Sequence, residues 1–112
     1  MSLNKHQIFA ANDLKEAFVD VPEWGGKVKI KALSVQEQLD YDAFLAKKPA
    51  EIDMALHLII TACIDDNGGK LFNLEDCEML KKKNAANLFR IVEKILDLNK
   101  QNSGQVEELA KN

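Results

Sequence analysis

The chain is poor in the residues that mark specialised protein classes. It has two cysteines, Cys63 and Cys77, too few for the disulfide framework of a small secreted domain and consistent with a reducing compartment. Positive charge is not in excess: 15 Lys and Arg stand against 18 Asp and Glu, a net charge of -3. The basic footprint that a phosphate backbone demands is missing, which argues against direct nucleic-acid binding. Long hydrophobic runs are absent too. The longest, over 55–64, is interrupted by His57 and Thr61 and is too short to span a bilayer, so no membrane role is expected. The first ten residues include Lys5 and His6 and hold no continuous apolar stretch, so they do not read as a secretory signal. These absences together point to a cytosolic chain.

What remains is ordinary for a globular protein, 46% hydrophobic and 29% charged over 112 residues. That length suits one domain, which buries roughly two-thirds of its unfolded surface. The expected fold class is mainly α with a small β-hairpin (α+β). About four helices should pack around a central apolar helix, with the N-terminal hairpin on one side. The domain is expected over 1–104, with the hairpin at 17–32 and a polar tail over 105–112.

The hairpin is written in two runs of period two. Val19 and Val21 alternate with Asp20, and Val28, Ile30 and Ala32 alternate with Lys27, Lys29 and Lys31. Pro22 cannot donate to a ladder and marks a strand end. Gly25 and Gly26 can supply the positive φ that a reversal needs. On the wet face Asp20 can sit across from a lysine. Upstream, the weak first 16 residues offer one helical turn around 12–17.

Four helices are expected beyond the hairpin. Ser34 and Glu37 form a capping box for a helix over 35–46. Its apolar residues make two groups: Val35, Leu39, Ala43 and Ala46 share a face, while Tyr41, Phe44 and Leu45 lie elsewhere. Either the helix is buried on two sides or part of it meets a partner. Pro49 opens a second helix over 49–64 whose apolar residues cover most of its circumference, leaving a ribbon of Asp53, His57 and Thr61. This is the expected central helix. After a turn over 65–70, Asn73 caps a short helix with Glu75 and Asp76 first and Lys81 to Lys83 last, matching the helix dipole. Asn84 opens the last helix, expected to reach about Leu98.

Candidate reactive groups are few, and each has a plain structural reading. Gly-Gly-Lys occurs at 25–27 and 68–70, but neither copy has the longer spacing and following helix of a phosphate-cradling loop. The acidic segment over 65–76 has the length of a calcium loop, yet Lys70 occupies the sixth position where Gly is required, and Asp76 the twelfth. His57 and Asp53 read as a pair one turn apart. Cys63 falls in the apolar arc of the central helix, where a thiolate is costly. No catalytic, cofactor or metal residue is therefore assigned. Trp24, on the hairpin turn, either folds back over the helices or anchors a partner.

The order Val-Asp-Val-Pro-Glu-Trp-Gly-Gly-Lys-Val, from Val19 to Val28, followed by Leu33-Ser34 opening a helix with Glu37, resembles the tail assembly chaperones of long-tailed bacteriophages and their prophages. Cys63 to Phe72 is similar to that family's Asp-x-x-Gly-Lys-x-Leu-Phe turn, and the ending from Val106 to Asn112 is similar to its closing "VEELxKN". The likeness covers the chain from Val19 onward, with the Trp-Gly-Gly hairpin its most specific element. Gly69 is a departure, since the family's turn usually lacks a second glycine there.

The resemblance implies binding and not catalysis. Such proteins bind the long, helical tape-measure protein, keep it soluble, help recruit tail-tube subunits and are absent from the finished virion. In many phages a longer product arises by ribosomal frameshift. The implied setting is the host bacterial cytoplasm, the implied partners are the tape-measure and tail-tube proteins, and a homo-oligomer is compatible with the role. Trp24, Tyr41 and Phe44 are the candidate partner-binding residues. On this expectation, Ser at 41 and 44 would leave folding intact and abolish partner capture. The rival readings are a small metal-binding or enzymatic domain using His57, Cys63 and the acidic loop, and a generic helical adaptor.

Overall fold

Alternation over 16–31 produces the expected hairpin. In the computed structural model, which describes residues 1–111 and their side chains through Lys100, β1 (Glu16–Val21) pairs antiparallel with β2 (Gly26–Lys31). The register puts Val19 opposite Val28 and Asp20 opposite Lys27. Val19, Val21, Val28 and Ile30 are buried on one face, while Phe18 and Lys27 stay exposed on the other. The reversal is a 3-10 turn, Pro22–Trp24, closed by the Gly25 amide donating to the Pro22 carbonyl at 2.9 Å. Gly25 takes φ 82°, which a side chain would resist, whereas Gly26 needs no positive φ.

A third strand joins this pair. β3 (Cys63–Ile64) extends the sheet in the order β1-β2-β3, with Ile30 opposite Cys63 and Lys29 opposite Ile64. The sequence placed these two residues at the end of a helix over 49–64. That helix, α3, runs Glu51–Ala62, and the chain leaves it extended because β2 offers a free edge to pair with. Pro49 and Ala50 precede the helix, Ala50 serving as its N-cap.

The expected turn at 12–17 is also displaced. The first helix, α1, is Lys5–Ala10, set by a capping box in which Asn4 accepts from the Gln7 amide and Gln7 accepts from the Asn4 amide, both at 2.9 Å. Glu16 and Ala17 belong to β1, since the two-residue period of Ala17, Val19 and Val21 carries the strand back that far. No residue of α1 is buried.

α2 (Val35–Leu45) follows the hairpin, α3 comes next, and after β3 a 3-10 turn leads into the four-residue α4 (Cys77–Leu80). Asn73 caps that turn, its side chain accepting from the Glu75 amide at 3.0 Å. Asn84 opens α5, accepting from the Ala86 amide at 2.9 Å. α5 runs Ala85–Lys111, past the boundary expected near Leu98. No proline interrupts it, and Gly104 costs only about 1 kcal/mol against alanine. Side chains of the expected polar tail over 105–112 lie outside the described residues.

The core forms where the inner face of the sheet meets α3 and α5. Ile30, Leu58, Ile59, Leu88, Ile91 and Ile95 are all but sealed from water. Each such side chain contributes roughly 1.5–3 kcal/mol on leaving water. α3 is the apolar helix expected, with six buried residues, packed between α2 and α5, and α5 in turn meets β1 and β2. Arg90 ties the hairpin turn to α5, its guanidinium donating to the Asp20 carbonyl and to Glu23, each at 3.4 Å. Asn99 ties the other end: it accepts from the Leu33 amide at 2.9 Å and donates to the Ile95 carbonyl at 2.8 Å. α2 itself buries no residue fully and rests on α3 from outside.

Candidate functional site

The start of α2 is firmly set. The Ser34 hydroxyl accepts from the Glu37 amide at 3.2 Å, and Glu37 accepts from the Ser34 amide at 2.9 Å. Glu37 also pairs with the Lys31 ammonium. Burial pushes the Glu37 carboxyl up, but Lys31 and the Ser34 amide together outweigh it and hold it below its ordinary value. These contacts anchor the first turn of α2 beside the end of β2.

From that start, helical spacing turns Tyr41 and Phe44 toward α3. The Phe44 ring stacks on the His57 imidazole, with centroids 4.7 Å apart and planes 20° apart. Tyr41 meets the same imidazole at 5.6 Å, tilted by 40°. Burial lowers the His57 pKa below its ordinary value; Asp40 opposes this and Lys70 adds to it. Burial, helped by Asp42, raises that of Tyr41. A neutral imidazole between two rings is an apolar joint, and it holds α2 onto the body.

The opposite face of α2 is left uncovered. Val35 is 78% exposed and Leu39 56%, and Ala43 and Ala46 are exposed beside them. The helix with two apolar faces therefore uses one of them internally and presents the other outward.

An open cleft lies on each side of the aromatic joint. One, of about 370 Å³, is lined by Tyr41, Met54, Leu58, Phe89, Val92 and Leu96, with Glu51 and Glu93 exposed at its edge. The other, of about 310 Å³, is lined by Phe44, Leu56, His57, Ile60, Leu74 and Cys77, with Asp53 and Lys81. Both are shallow and apolar, the form of a groove that receives a protein segment.

The three residues singled out in the sequence are thus placed separately. Tyr41 and Phe44 come together on His57, one lining each cleft. Trp24 is half-buried against the core on the hairpin turn and lines neither of these clefts. Sequence reasoning chose Tyr41 and Phe44 as the partner contacts on α2, whereas the structure packs both rings on His57, so Ser at 41 and 44 also empties an internal contact. The spacing of Val35, Leu39, Ala43 and Ala46 was visible, but not that this stripe faces out.

The groups named for the rival readings are engaged in structure. Cys63 sits in β3 with its thiol buried, which pushes its pKa up to about 12. The Asp65 carboxylate accepts from the Asn67 amide at 2.8 Å and the Gly69 amide at 3.0 Å, closing the turn on itself. Among the described residues, no three of His, Cys, Asp and Glu stand together as a metal would require. No helix of the described residues is long and apolar enough to cross a membrane.

The architecture has a solved counterpart. The structure of the bacteriophage HK97 tail assembly chaperone matches with a TM-score of 0.61, covering 83% of this chain and 90% of that one at 22% identity. The chain has the fold of a tail assembly chaperone. No family model matches it, and no curated protein does. The Trp-Gly-Gly hairpin supplies β1 and β2, and the strand that follows α3 pairs on the β2 edge. The resemblance read from Val19 onward and the fold agree in kind.

Proposed function

We propose that the chain is a phage tail assembly chaperone that binds the tape-measure protein, keeps it soluble and promotes assembly of the tail tube around it. The reading is supported by the shared fold and by the hairpin, turn and ending that resemble the family. The observation that carries it is the uncovered apolar surface around α2: the outward stripe of Val35 and Leu39, and the cleft beside Tyr41. A long helical protein with apolar stripes aggregates unless they are covered, and a small acidic domain with grooves of this form can cover them one segment at a time.

On this reading Tyr41 and Phe44 meet the partner through the edges they present to their clefts, and Trp24 adds contact from the hairpin. The partners are the tape-measure protein and the tail-tube protein, with further copies of the chain alongside. The work is done in the host bacterial cytoplasm, and the chain leaves before the virion is complete. The role needs no cofactor, because only surface is exchanged.

Co-expression tests the proposal. The tape-measure protein encoded in the same tail gene cluster should be insoluble alone and soluble, co-purifying, with this chain. A tape-measure protein that stays insoluble beside abundant chain would overturn it.

A further inference from the structure

The cleft beside Tyr41 carries charge of one sign. Glu51 from α3 and Glu93 from α5 stand at its edge, and no lysine, arginine or histidine lines it. Neither carboxylate has an ion pair or hydrogen-bond partner among the described residues. Asp42 is close enough to Tyr41 to raise its pKa. The second cleft differs, since Asp53 and Lys81 bring both signs to it.

We infer that the cleft between α2, α3 and α5 is selective for a cationic amphipathic helix. Such a helix would place apolar side chains one turn apart on Tyr41, Leu58, Phe89 and Leu96, with Lys or Arg on its flanks facing Glu51 and Glu93. The apolar floor supplies affinity without sequence preference. The unpaired rim carboxylates supply the choice: they attract cationic flanks, and an anionic helix would bring like charges together. The inference rests on the reading that this face covers a helix, and it adds which helices are chosen.

Two synthetic amphipathic peptides test it, with the same leucine stripe and either lysine or glutamate flanks. Titrated into the full chain, the lysine peptide should bind at least tenfold more tightly, and rising salt should erase the difference. Chemical-shift changes should fall on Leu58, Val92 and Leu96. The Glu51→Lys and Glu93→Lys double variant should reverse the preference, while Asp13→Lys, outside the cleft, should not.

Equal binding of both peptides would overturn the charge selectivity and leave the chaperone reading standing. Shifts confined to Val35 and Leu39 would overturn the choice of cleft. Residues 1–10 bear Lys5 with exposed Ile8 and Phe9, the same chemistry as the inferred occupant. If peptide binding appears only after removal of residues 1–12, the cleft already holds that arm and the inference of a free site falls.

Discussion

Phe44 lies stacked on His57 with 4.7 Å between ring centroids, and this contact decides which way α2 faces. Because the imidazole is desolvated there, its folded pKa lies below the ordinary value. The unfolded chain, with an ordinary imidazole, therefore binds more protons as pH falls through the mid-sixes, and stability falls with it. The contribution is present above the unfolded pKa near 6.5 and is lost progressively toward the lower folded one. Urea unfolding at pH 7.5 and pH 5.5 should show the decline. His57→Phe keeps a ring in the joint and should flatten it over that window. An equal decline in the variant would assign it elsewhere.

The two faces of α2 should respond differently to substitution. Val35→Ser with Leu39→Ser removes exposed surface and should change stability by no more than about 0.5 kcal/mol per site. Tyr41→Ser with Phe44→Ser empties the joint and should cost about 2 kcal/mol or more, since each ring is half-buried. The outward pair is thus the cleaner probe of partner capture. Normal melting with lost co-purification of the tape-measure protein would place the stripe in the interface.

This contrast marks what could and could not be read from the residues alone. The hairpin was legible because its period of two is local, and Ser34 with Glu37 announces its own helix. The central position of α3 followed from apolar residues around most of its circumference, with only the ribbon of Asp53, His57 and Thr61 left polar. β3 was not legible, because Cys63 and Ile64 merely continue an apolar run; only the edge of β2, over thirty residues earlier, makes them a strand. The facing of α2 was equally hidden. Its two stripes are both apolar, and the choice rests on His57, a residue of another helix.

Asn99 should matter out of proportion to its exposure. Its side chain accepts from the Leu33 amide at the hairpin's exit and donates to the Ile95 carbonyl one turn back. Asn99→Ala leaves a partly buried amide without that acceptor and should cost about 1–2 kcal/mol. Hydrogen exchange at the Leu33 amide should speed up while Ile91 remains protected. Unchanged exchange at Leu33 would mean that another group satisfies it.

The turn over 65–70 allows a test of why a second glycine follows Gly68. Gly69 needs no positive φ, but a Cβ there would lie 3.2 Å from Asp65 Oδ2. That carboxylate is not free to retreat, because its other oxygen accepts from the Asn67 and Gly69 amides. Gly69→Ala should therefore destabilise by about 1 kcal/mol, through contact with Asp65 and not through backbone strain. Gly25→Ala supplies the contrast: it meets open space, so its cost of about 1 kcal/mol comes from φ alone. In a double-mutant cycle, Asp65→Ala should absorb most of the Gly69→Ala penalty and none of the Gly25→Ala penalty. Full additivity between positions 65 and 69 would show that crowding against the carboxylate is not what keeps glycine there.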